Sequence, residues 1–171
     1  MSLAVISVQI PVLNEKILHM KLYSLKDTVT LNTTIEKAWD FFSTPHNLPL
    51  ITPKSLNFQI LSDPPKQIYA GLIIHYHVSP LLGVPLQWVT EITHVVDKKM
   101  FIDEQRFGPY LFWHHQHHFE ATAEGVLMTD IVHYALRFDP LSRPVHALIV
   151  RPQVNEIFRY RTSVLEKYFP A

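Results

Sequence analysis

The sequence predicts an α+β domain in which a curved antiparallel sheet of about seven strands grips a long C-terminal helix around a ligand-sized space. Three observations predict it. A short helix-period segment, Ile35 to Phe42, follows a β-rich opening stretch. Period-two alternation then recurs from Leu56 to Phe138, and a helical stripe occupies the C-terminal segment.

The organised pattern begins at Met20. From there to Asn32 the chain is rich in β-formers, with Leu22, Val29 and Leu31 as apolar anchors, and reads as a strand. Thr33 or Thr34 can cap the next segment, where Ile35, Ala38, Trp39 and Phe42 share one helical face until Pro45 ends it. Asn47 to Pro53 reads as a turn-rich connection. Leu56, Phe58 and Ile60 alternate before Pro64 and Pro65 break the strand, and Leu72, Ile74, Tyr76 and Val78 alternate next. After a turn at Gly83, Val84 and Pro85 comes the set Leu86, Trp88, Thr90 and Ile92. Phe101–Phe107, Trp113–Ala121 and Val126–Phe138 complete an antiparallel meander. In the last segment Asp139 or Ser142 can act as cap and Pro144 suits a first helical turn. Ile157, Arg161, Val164, Leu165 and Tyr168 continue the stripe, and Pro152 predicts a kink or short break near Val150.

Composition narrows the functional classes. A chain of 171 residues fits one domain and can bury a substantial core without crosslinks. Hydrophobic residues reach 47% and charged ones 18%, which marks a packed globular protein. Lysine plus arginine equals aspartate plus glutamate at 15 each, so no net field favours nucleic acid or anionic lipid. With no cysteine, thiol chemistry and thiolate metal sites are excluded, and a reducing, cytoplasmic location is expected. Four glycines leave no phosphate loop, and no serine nucleophile elbow is present. The apolar stretch Leu3 to Leu13 lacks a basic leader and a small-residue cleavage site and is interrupted by Gln9 and Pro11. No stretch reaches the length of a membrane-spanning helix. Residues 1–19 therefore read as an N-terminal extension or extra strand, residues 20–171 as the single domain, and Met20 as a second candidate start.

The stretch from Phe101 to Tyr134 carries the chemistry. Period two sets Phe101, Asp103, Gln105 and Phe107 on one face, as it does Trp113, His115, His117 and Phe119, and again Met128, Asp130, Val132 and Tyr134. Each face is apolar enough to point inward, yet each carries a polar or ionisable group, which suits a polar-studded pocket better than a dry core. Arg161 sits in the apolar stripe of the final helix and needs a carboxylate partner, either Asp103 or Asp130. The same residues can instead form an inert network that stiffens the sheet. His115 and His117 on one face, with His114 and His118 facing solvent on the other, give two imidazoles per face. A zinc site wants at least three protein ligands. His75 and His77 on a neighbouring strand can add donors, but nothing in the sequence requires it, so no metal and no cofactor is expected.

The joint order of several segments resembles the START-like, helix-grip superfamily of ligand-binding proteins (SRPBCC), and within it an uncharacterised bacterial subgroup. These segments are Val29–Phe42, Pro45–Leu48, Ile51–Pro53, Trp88–Ile92, Phe101–Gln105, Gly108–Tyr110, Trp113–Phe119, Met128–Tyr134 and Ile157–Arg161. Residues 1–19 and Pro152 depart from the pattern. The resemblance implies a site between sheet and long helix that holds a small hydrophobic or amphipathic molecule such as a lipid, a quinone or an aromatic compound. Its expected size is roughly 300–1,000 Å³. Trp88, Thr90, Phe101, Tyr110, Trp113, Phe119, Tyr134 and Phe158 would form its walls, with Asp103, Gln105, His115, His117, Asp130 and Arg161 as polar contacts. The alternative is a cyclase, dehydratase or hydrolase with His115 or His117 as base and Asp103 or Asp130 to orient it. A third possibility is an interaction module whose cavity is filled by side chains. The chain is expected to act as a monomer or homodimer.

Overall fold

The computed structural model describes residues 20–81 and 83–170. The expected N-terminal extension lies outside the described residues. In β1 (Tyr23–Leu31), half-buried Tyr23, Leu25, Asp27 and Val29 alternate with exposed Ser24, Lys26, Thr28 and Thr30, as in a strand with one face on the core. Thr34 then caps α1 (Ile35–Phe42), its hydroxyl accepting from the Lys37 N–H at 3.4 Å. This helix buries Ala38, Trp39 and Phe42. Pro45 opens a 3₁₀ helix, Pro45–Ile51, where the sequence predicts only a turn. A proline costs nothing there because the first helical N–H has no partner.

Six further strands follow: β2 (Gln59–Ile60), β3 (Leu72–Leu81), β4 (Val84–Val96), β5 (Met100–Phe107), β6 (Phe112–Thr122) and β7 (Gly125–Ala135). They form one seven-stranded sheet in the order β1-β7-β6-β5-β4-β3-β2. All neighbours are antiparallel. The meander from β2 to β7 is thus completed by β1 on the free edge of β7. Gly125 makes that junction possible. Its φ is +129°, and a Cβ there would meet the Leu31 carbonyl oxygen of β1 at 2.2 Å, a backbone atom that cannot give way.

Two strand expectations are corrected. The alternation from Leu56 to Ile60 pairs only at Gln59 and Ile60. Lys54–Leu56 is a 3₁₀ turn ended by Asn57 in the left-handed region at φ 44°, a conformation asparagine tolerates. Phe107 is 73% exposed, although period two places it with Phe101 and Asp103. The register with β4 steps from Gln105 opposite Thr90 to Phe107 opposite Val89, so a bulge at Arg106 flips the end of β5 outward.

The C-terminal helical run comprises α2 (Arg143–Val145), a π-helical turn His146–Val150 and α3 (Arg151–Tyr168). The break expected near Val150 is this π turn. The Arg151 N–H bonds the His146 carbonyl five residues back, and the wider turn relieves the clash a Pro152 ring makes with the carbonyl four residues before it. Ser142 holds the cap position without a side-chain hydrogen bond. The Asp139 carboxylate binds Arg143 and the Lys21 N–H instead. Among the described residues no helix is long and apolar enough to cross a membrane.

α3 buries Val154, Phe158 and Leu165 against the concave face of the sheet. At one end of that face Trp39 of α1 stands edge-on to Phe101 and Phe119, with ring centroids 6.1 and 5.6 Å away. Trp39 is the largest side chain of this cluster and is 5% exposed. Trp39→Ala is expected to destabilise the fold by about 3–5 kcal/mol in urea denaturation. Phe138→Ala, at a ring 81% exposed, is expected to stay within about 0.5 kcal/mol of the parent.

Candidate functional site

The central strands build the site through their register. Asp103 on β5 lies opposite His115 on β6, and His117 on β6 lies opposite Asp130 on β7. Two imidazoles from alternate positions of one strand are thereby held between two carboxylates from its neighbours. The contacts run both across and diagonally. His115 Nε2 is 2.8 Å from Asp130 Oδ1, and His117 Nε2 is 2.9 Å from Asp103 Oδ2. His115 Nδ1 is 3.4 Å from Asp103 Oδ2. His117 Nδ1 lies 2.8 Å from Asp130 Oδ1 without an aligned hydrogen bond. The rings face each other at 3.8 Å between centroids. Arg161 of α3 reaches Asp130 Oδ2 at 3.3 Å, so the partner it needs is Asp130.

His115, His117 and Asp130 are buried. Burial would raise the Asp130 carboxyl, but Arg161 and the two histidines outweigh it and hold it well below the usual carboxylate range. Asp103 is likewise lowered, burial being outweighed by His115, His117 and Arg161. Burial pulls down both imidazoles. At His117 the two aspartates overcome it and raise the ring, whereas at His115 the neighbouring His117 adds to burial and the ring is lowered. The outer face of β6 is separate. His114 pairs with Glu104 at 2.8 Å and His118 with Gln116 at 2.9 Å, both only half-buried, so these two rings are less open to solvent than the sequence predicts.

Beside this cluster, between β3–β6, α3 and the 3₁₀ segment, lies a cavity of about 170 Å³. It is smaller than the sequence predicts and close to the roughly 150 Å³ apolar cavity that holds benzene. Of the expected site residues, Trp88, Thr90, Phe101, Asp103, Tyr110, Trp113, His115, His117, Phe158 and Arg161 line it. The remaining four do not. The Gln105 amide is taken up by the Tyr110 backbone, closing the β5–β6 loop. Phe119 packs in the core cluster with Trp39 and Phe42. The Tyr134 hydroxyl is 2.9 Å from His146 Nε2. Asp130 stands behind the two histidines.

Sequence reasoning missed Ile74, Tyr76 and Val78 on β3, Ile51 and Leu56 before it, and Gln153 on α3. The alternation of Ile74, Tyr76 and Val78 was a legible signal, because their partners Thr90, Trp88 and Leu86 on β4 share the inward face. Tyr76 Oη and Thr90 Oγ1 are 2.9 Å apart, and the Gln153 amide donates to the Pro80 carbonyl, tying α3 to the end of β3. Among the described residues, the wall residues Trp88 at Nε1 and Arg161 at Nε keep a buried N–H without a partner.

No family profile and no curated protein matches the amino-acid sequence. Solved structures do match in three dimensions. Ginseng major latex-like protein 151 from Panax ginseng superposes with a TM-score of 0.64 at 15% identity, over 88% of this chain and 99% of that one. The chain has the helix-grip fold. A Thermus thermophilus protein (TM-score 0.65, 12% identity, 85% of this chain, 95% of that one) and protein Ms6760 from Mycobacterium smegmatis (0.61, 14%, 85% and 92%) are also similar. At these identities the likeness carries the fold alone.

The polar cluster predicts a definite acid response. Asp103 and Asp130 stabilise the fold fully above about pH 4 and lose that contribution as pH falls through their depressed folded values. His117, raised, contributes below about pH 6.5 and loses it as pH rises through its folded value, while His115, lowered, does the opposite. The histidines therefore offset each other near neutrality. Asp130→Asn is expected to cost about 3–5 kcal/mol at pH 7 and to flatten the acid limb below pH 4, read by urea denaturation across pH.

Proposed function

We propose that this chain binds a compact, largely apolar ring compound bearing an oxygen acceptor, held between the sheet and α3. One observation carries the reading: a cavity of about 170 Å³ is walled by aromatic side chains, and its wall residues Trp88 and Arg161 hold buried N–H donors without partners among the described residues. An unpaired buried donor costs about 1–3 kcal/mol, so a ligand oxygen that draws Trp88 Nε1 or Arg161 Nε towards the cavity by a small side-chain shift recovers affinity that a hydrocarbon cannot. Trp88 stacks on Tyr76 and stands edge-on to Tyr110 and Trp113, a surround suited to a flat guest. The volume favours an aromatic or quinone-like ring over a long acyl chain, which needs the walls to open.

The acid–base enzyme reading has less support. His115 Nε2 and His117 Nε2 are hydrogen-bonded to Asp130 and Asp103, and the remaining ring nitrogens face the same carboxylates at 3.4 and 2.8 Å rather than open cavity, so neither imidazole is presented to a substrate as a general base.

Thermal-shift and calorimetric titrations with benzoate, 1,4-naphthoquinone, toluene and oleate test the proposal. Benzoate or the quinone is expected to stabilise the chain, by about 2.7 kcal/mol at a hundredfold excess over Kd. Toluene should bind more weakly and oleate least. Trp88→Phe keeps the aromatic wall and removes one donor, so it is expected to weaken the oxygen-bearing ligand by up to about tenfold and leave toluene unchanged. Preferential binding of oleate, or no binding of any ring compound, contradicts the reading.

A further inference from the structure

The four contacts between the histidine pair and the aspartate pair have a hydrogen-bonding problem. A neutral imidazole carries a hydrogen on one nitrogen and a lone pair on the other. Two neutral rings therefore supply hydrogens for the two aligned bonds, His115 Nε2 to Asp130 and His117 Nε2 to Asp103, and leave the Nδ1 lone pairs set against carboxylate oxygens at 3.4 and 2.8 Å. One added proton relieves one of these contacts, whereas a cation between Asp103 and the nitrogens facing it leaves both outer nitrogens carrying hydrogens towards Asp130 and relieves both. We propose that Asp103, His115 Nδ1 and His117 Nε2 form a site for a divalent first-row transition metal ion, of the zinc or ferrous type.

Three features of the geometry support the site. The candidate ligand atoms of Asp103, His115 and His117 lie within 4.8 Å of one another, and Asp103 Oδ2 is 2.9 and 3.4 Å from the two nitrogens. Bonds of about 2.0–2.2 Å in a tetrahedral shell separate neighbouring ligand atoms by roughly 3.3 Å, so small side-chain adjustments suffice. The nitrogens that face away, His115 Nε2 and His117 Nδ1, both lie 2.8 Å from Asp130 Oδ1. Metal-bound histidines commonly present their other N–H to such an outer carboxylate, and Arg161 anchors this one from α3. All three ligands also line the cavity, so a fourth position is open to water or to a guest's oxygen.

Two imidazoles and one carboxylate suit zinc or ferrous iron better than the all-oxygen shells of calcium or magnesium. The third ligand comes from β5, a strand away from the histidines, which is why the histidine spacing alone falls short of a metal site. The inference stands on the polar cluster and does not depend on the ligand proposed for the cavity.

Titration of the metal-stripped, tag-free chain with Co²⁺, followed by visible d–d absorption and then by Zn²⁺ competition, tests it. The expected result is one saturable equivalent per chain that Zn²⁺ displaces. Asp103→Asn should abolish the band, and Asp130→Asn should weaken binding about 10–100-fold. His118→Ala, on the outer face of β6, should leave it unchanged. Circular dichroism of each variant checks folding, and the wild-type titration remains decisive where a variant unfolds. Absence of a saturable band in the wild type overturns the inference. So does a band that survives in folded Asp103→Asn, or one that His118→Ala removes.

Discussion

The register of β5, β6 and β7 is the constraint on which the rest of the structure depends. A one-residue slip of β6 would turn His115 and His117 to the outer face and bring His114, Gln116 and His118 inward, away from both aspartates. In the native register two imidazoles fall between two carboxylates, and the pair of charges left on Asp103 and Asp130 fixes where Arg161, and with it α3, can sit. Buried ionic groups rarely add much net stability, yet removing one partner of such a set is expensive. The cluster therefore specifies the placement of the helix on the sheet more than it strengthens the fold.

Apolar packing supplies the stability around it. α1 closes one end of the concave face with Trp39 and Phe42, and Phe158 and Val154 of α3 pack on Val132 and Tyr134 at the other. Between these clusters the sheet curves away from the helix, and side chains do not fill the remaining space. Polar groups at its wall set that space apart from a simple packing defect and are what the proposed binding role rests on, because they can orient a guest. The π turn ahead of Pro152 matters here as well. It lets the helical run continue past a proline, so that Gln153 can reach Pro80 and Arg161 can reach Asp130 from one rigid element.

Much of this was legible in the sequence, for physical reasons. Strands that bury one face alternate strictly, so the inward set Asp103, His115, His117 and Asp130 could be read from period two alone, and the charge of Arg161 in an apolar stripe demanded a carboxylate. Period two identifies a face and not a height along the strand. Gln105, Phe119 and Tyr134 point inward as expected but meet the β5–β6 loop, α1 and His146 before they reach the cavity. Phe107 was misplaced because a bulge adds one residue that no hydrophobic pattern announces. Ile74, Tyr76 and Val78 of β3 alternate just as legibly, but they carry no charged group to single them out, and their place in the wall follows from pairing with Thr90, Trp88 and Leu86.

A crystal structure of the chain purified without added ligand tests the central claim most directly. A bound compact ring between Trp88, Trp113 and Phe158, with an oxygen within hydrogen-bond reach of Trp88 Nε1 or Arg161 Nε, is the predicted result. Side chains packed to native density across that space, or a long acyl chain threading it, would contradict the account.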